Sequence, residues 1–118
     1  MYWQQKFARA IAITLMVLIL LLGVVTQAAL AADTVQGTKL FQVHCAGCHP
    51  QGGNIIRRGK NLKQRALRRN GMDSVEAIIS LVENGKNNMS AYKDRLSASE
   101  IEAVSAYVLE QAATGWRS

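Results

Sequence analysis

Both cysteines and both histidines of this 118-residue chain lie in "HCAGCH", His44 to His49. Sulfur and imidazole packed that closely fit four chemistries: a disulfide, a zinc centre, a redox dithiol or a covalently attached haem. A Cys45–Cys48 bridge would close a very small loop and so remove little chain entropy. A thioredoxin-like dithiol needs a βαβ setting, which is not legible here. A structural zinc takes four ligands. Cys45, Cys48 and His49 offer three, with His49 directly after Cys48 and no second Cys or His cluster to complete the set. C-x-x-C-H is, in contrast, the attachment signature of a c-type haem. On one helical face Cys45 and Cys48 can each form a thioether with a porphyrin vinyl group, and His49 then offers its imidazole to the iron. His44, on the attachment side, is expected to be an exposed bystander.

A sixth iron ligand must come from elsewhere. Beyond the N-terminal segment the chain has two methionines, Met72 and Met89. Met72 directly precedes Asp73, which reads as a helix cap, and an apolar residue there serves as a hydrophobic staple. Met89 sits in "KNNMSAYKDRL", off any apolar period, where packing gives no reason for it. Its thioether is assigned as the distal ligand opposite His49. With both axial positions filled by protein, the iron carries single electrons and the chain is not an enzyme. A sensor or peroxidase-like domain with a labile Met89 is the alternative.

The elements that must position these groups read as helices, so the fold class is all-α. "DTVQGTKLFQVHCAGCH" offers Asp33 or Thr34 as N-cap and Val35, Leu40, Phe41 and Val43 as its apolar positions. "PQGGNIIRRG" is loop. A short basic helix follows, turning Leu62, Ala66 and Leu67 inward. In "DSVEAIISLVENG" the Asp73/Glu76 pair reads as a capping box, Val75, Ile78, Ile79 and Val82 as the buried stripe, and Gly85 as the C-terminal stop. Ser97 with Glu100 opens the last helix, whose stripe is Ile101, Val104, Val108 and Ala112.

The N-terminus sets the compartment. Lys6 and Arg9 precede an apolar run from Ile11 to Val25, and Ala29 and Ala31 occupy the small-residue positions of a cleavage site. That order is a secretory signal peptide, expected to span residues 1–31 and leave 32–118 as one domain outside the cytoplasm. Retention as a membrane anchor is the alternative, since the stretch nearly reaches the ~20 residues that span a bilayer. Fourteen Lys and Arg face eight Asp and Glu; losing Lys6 and Arg9 leaves twelve, a charge of +4. Seven of these, from Arg57 to Arg69, form a run with no acid between them. Such runs are commonly just solvated faces. Read functionally, this one is a docking patch for an acidic partner. No nucleic-acid partner is expected for an exported chain.

From Asp33 to Trp116 the sequence resembles cytochrome c6, the small class I c-type cytochrome of cyanobacteria and algae. "CAGCH", "NGKNNM", "RLS" and "IEAVSAYVLEQAATGW" carry the likeness. The resemblance implies about four helices around one covalent haem c, and a monomer in the thylakoid lumen or periplasm. It implies electron transfer from the cytochrome b6f complex to photosystem I or a terminal oxidase. It also implies that the first and last helices cross at Gly37, Phe41 and Tyr107. Many members read Met-Pro-Ala-Phe at the distal ligand, where this chain has Met89-Ser90-Ala91-Tyr92. Losing the proline frees the local φ and restores an N–H, and Pro50 after His49 is a second departure. Changes around the ligands alter potential without altering the ligands themselves, so a lower-potential c6-like paralogue is the alternative circuit.

Overall fold

A computed structural model describes residues 1–24 and 33–117. Four α-helices run in the order α1 (Tyr2–His44), α2 (Gln64–Arg69), α3 (Val75–Asn84) and α4 (Ala98–Thr114), and no strand occurs among the described residues. The chain divides into two units, Met1–Ala32 and Asp33–Ser118. In the first, Tyr2–Val24 is long and apolar enough to cross a membrane by length and composition. The cleavage positions Ala29 and Ala31 and the expected new terminus Ala32 lie outside the described residues.

In the second unit the core is built by Phe41, Leu67, Ile78, Val82, Ile101 and Val104 with their neighbours. The α4 stripe is buried as its period requires: Ile101, Val104, Val108 and Ala112 all face inward. In α3 only Ile78 and Val82 are fully buried. The first helix departs further from expectation. Val35 is 56% and Val43 75% exposed, because the inward face is the i, i+3, i+4 set of Gly37, Leu40 and Phe41. Phe41 meets Tyr107 at 5.4 Å and Trp116 at 5.0 Å between ring centroids, so α1 and α4 do meet where the resemblance implies.

Helix boundaries correct two further expectations. Neither Asp33 nor Thr34 opens a helix, since the assignment starts at Tyr2. The N-cap of α3 is Ser74, whose Oγ accepts from the Ala77 N–H, so Asp73 lies one residue outside and no Asp73/Glu76 box forms. The Ser97/Glu100 box is present in both directions. Gly85 (φ 67°) and Gly115 (φ 75°) terminate α3 and α4. The glycine-rich stretch after His49 is loop with two short 3-10 turns, Pro50–Gly52 and Arg58–Lys60.

Ser105 is fully buried in α4, and its hydroxyl finds no hydrogen-bond partner among the described residues. A buried polar atom left unpaired costs stability that an apolar isostere does not. Ser105→Ala is therefore expected to raise the unfolding free energy by about 1 kcal/mol. Urea denaturation checks this, and a lower midpoint would show that the hydroxyl is satisfied in solution.

Candidate haem site

The C-A-G-C-H segment continues the end of α1 as a tight wrap. The amides of Cys45 and Ala46 both bond the Phe41 carbonyl, at 2.9 and 2.8 Å, and those of Cys48 and His49 bond the Cys45 carbonyl, at 3.1 and 2.9 Å. His49 Nδ1 lies 2.9 Å from the Gly53 carbonyl. A carbonyl only accepts, so Nδ1 carries the proton and Nε2 is left with its lone pair, the form that binds a metal. The loop that supplies this carbonyl is itself fastened. Leu62 donates its N–H to Gly52 at 2.7 Å, and Trp116 donates its indole N–H to Leu62 at 3.0 Å. The C-terminal tryptophan thus braces the segment that orients His49.

Burial, and secondarily the adjacent Cys48, pushes the Cys45 thiol up to about 11. Reactive and redox cysteines have their thiolate favoured, not disfavoured. At Cys45 it is disfavoured, which argues against a free redox dithiol here.

Met89 is held by a second short loop. Gly85 turns the chain out of α3 at φ 67°, and a side chain there would press on the Met89 carbonyl, 2.5 Å from an added Cβ. Lys86 and Met89 exchange backbone hydrogen bonds of 3.0 Å in each direction. The Tyr92 N–H then returns to the Val82 carbonyl at 2.9 Å. Met89 is half-buried and packs against the core.

Cys45, Cys48, His49 and Met89 all line one cavity of about 390 Å³. Its walls are Leu67, Ile78, Leu81, Val82, Val104 and Val108, while Arg57 and Lys60 stand on its lining from the basic run. An apolar slot holding two thiols, an imidazole and a thioether fits a haem, which needs a dry apolar bed, two attachment points and soft or borderline axial donors. Met72 lines the same cavity. With Ser74 as the cap, Met72 stands one residue too far out for the staple role and serves as wall instead.

Two residues mattered more than their sequence signals showed. His44 is half-buried rather than exposed, on the cavity lining, its ring edge-on to Tyr92 at 6.0 Å. Tyr92 donates its hydroxyl to the His44 carbonyl at 3.0 Å. Asn54 shapes the start of the basic run, its Oδ1 accepting from Ile56 and Arg57 at 3.0 and 2.7 Å. That asparagine turn was open to recognition in the Gly-Gly-Asn signal. All seven cations of the run are exposed. The partners of Lys60, Lys63 and Arg69 are neutral: the Asn70 side chain and the carbonyls of Gln51 and Gly59.

Comparison with known proteins sharpens the assignment. The family whose sequence profile matches, over residues 32–108, is "Cytochrome C oxidase, cbb3-type, subunit III". A cytochrome c6-like protein of Nostoc sp. strain PCC 7120 is 58% identical over 96% of this chain and 99% of that one. The cytochrome c6 of Thermosynechococcus vestitus is 46% identical over 96% of this chain and 97% of its own length. Among solved structures, cytochrome c6C from Synechococcus sp. PCC 7002 is 64% identical, with a TM-score of 0.66 over 67% of this chain and 96% of that one.

Proposed function

The chain belongs to the cytochrome c6 family, electron-transfer proteins with one covalent haem c, and from that premise we propose its ligand set, its circuit and its compartment. Cys45 and Cys48 hold the haem through thioethers, His49 is the proximal ligand and Met89 the distal one. The carrying observation is that these four residues, drawn from two separated loops, line one apolar cavity. Bound there, haem c supplies a one-electron couple at the iron.

The chain's own groups do the rest. The Gly53 carbonyl holds His49 in the tautomer whose Nε2 can bind and fixes the orientation of its ring. Val82, Val104 and Val108 keep water off the site. Arg57 to Arg69 steer the molecule toward an acidic face on a membrane complex, giving fast association that salt weakens. Their exposure and neutral partners leave their charge available for that contact. In this reading residues 1–31 are removed on export, and residues 32–118 work as a monomer in the lumen or periplasm. They pass electrons from the cytochrome b6f complex to photosystem I or a terminal oxidase. A c6-like paralogue serving another circuit is the second reading, supported by the name of the Nostoc relative and by Ser90 in the distal loop.

One sample tests these together: the exported protein, assembled with c-type haem attachment, weighed intact and titrated spectroelectrochemically. A mass of one haem on a chain starting at Ala32, methionine-ligated spectra and a high midpoint are expected. A markedly lower midpoint with the same ligation moves the protein to the paralogue circuit. A chain starting at Met1 makes it membrane-anchored, and a chain without haem ends the reading.

A further inference from the structure

The distal loop contains no proline, so nothing in its covalent structure fixes the backbone beside Met89. What holds it can be traced atom by atom. The last carbonyls of a helix have no intrahelical donor and must find one elsewhere or stay wet. The carbonyl of Val82, in the last turn of α3, takes the Tyr92 N–H at 2.9 Å. The carbonyl of His44, the final residue of α1, takes the Tyr92 hydroxyl at 3.0 Å. One residue thus satisfies the ends of two helices, and the second bond crosses 48 positions of sequence.

The ring between those two bonds is held as well. Tyr92 is half-buried on the cavity lining beside Met89, with the Arg95 guanidinium 4.7 Å from its centroid and the His44 ring edge-on. His44 adjoins Cys45, so the hydroxyl bond links the loop that bears Met89 to the segment that bears Cys45, Cys48 and His49. No other hydrogen bond between the segments 44–49 and 85–92 occurs among the described residues.

We infer that Tyr92 is a positioning residue: its hydroxyl ties the Met89 loop to the end of α1 and keeps the thioether over the cavity. This rests on Met89 being the distal ligand. The hydroxyl sets how often the loop swings away, and thereby how readily an outside ligand replaces the methionine. An outside ligand binds only the open fraction, so its apparent affinity scales with that fraction.

The test is Tyr92→Phe, which removes one oxygen and leaves the ring. The ferric holoprotein is titrated with imidazole while its methionine–iron charge-transfer band is followed. Amide hydrogen exchange is measured on the same sample. The variant should bind imidazole about fivefold more tightly than wild type, the size expected for one neutral hydrogen bond. The amides of Lys86, Met89 and Tyr92 should exchange faster, while those of Val104 and Val108 keep their protection. Equal imidazole affinity in variant and wild type overturns the tie. So does a loss of protection spread evenly through α4, which would make the bond a general contribution to stability. A wild type lacking methionine-ligated spectra removes the Met89 assignment itself, and the tie with it.

Discussion

Met89→Ala is expected to lower the midpoint potential by about 0.1 V or more and to open the iron to imidazole, while Met72→Ala leaves both nearly unchanged. The two methionines need this comparison because both line the cavity. A thioether raises the potential of a haem iron by favouring its reduced form. Axial ligands span roughly 0.8 V of potential between them, so losing one is a large perturbation. For one electron, roughly 59 mV is a tenfold change in the equilibrium. Met72 lies before α3 and packs against the core as wall. Its truncation should cost stability, on the order of 2 kcal/mol for a half-buried methionine, and leave the ligand spectrum intact. Redox titration and imidazole binding of both variants decide the assignment. If Met72→Ala gives the spectral change instead, the distal ligand has been placed on the wrong loop.

The part of this site that could be read from the sequence is the part with short-range causes. Cys45, Cys48 and His49 stand out because C-x-x-C-H has a fixed spacing within one turn, and the structure brings all three onto one cavity. Met89 stands out for the opposite reason: an apolar residue in a polar stretch has no local period to explain it, and the structure packs it against the core on the lining of the same cavity. The α4 stripe follows from its period, and the capping box at Ser97 and Glu100 from its local hydrogen bonds. At α3, Asp73 and Ser74 are both good caps, and the Glu76 spacing favours the wrong one. The structure selects Ser74, whose hydroxyl reaches the Ala77 N–H. Val35 and Val43 misled because hydrophobicity alone does not say which arc of a helix meets its neighbour. Gly37, which the resemblance and not the hydrophobic period pointed to, marks the true face. The Tyr92–His44 bond was beyond reach, since its cause is the juxtaposition of two helix ends that no local pattern encodes.

Gly37→Ala tests that contact most directly. A Cβ at Gly37 would lie 2.5 Å from the Ala103 carbonyl oxygen and 2.8 Å from the Tyr107 Cβ. The first obstacle is backbone and the second is the root of a side chain, so neither can swing aside. Helices α1 and α4 must separate. Separation strains the Phe41–Tyr107 contact, both rings of which are buried in the core. Overpacking of this kind costs about 1–3 kcal/mol, sometimes more, against a helix-propensity gain of about 1 kcal/mol for alanine over glycine. Backbone contact puts the cost at or beyond the upper end, so a net loss of roughly 2 kcal/mol is expected. In a domain this small that is a fall of roughly 8–16 °C in Tm. Thermal unfolding of the haem-loaded protein measures it, and an unchanged or higher Tm would mean that the helices do not meet at Gly37. Because α1 runs directly into Cys45, the same displacement should also shift the haem-attachment segment. The variant's Soret region should therefore change before unfolding begins, which a loss of stability alone would not produce.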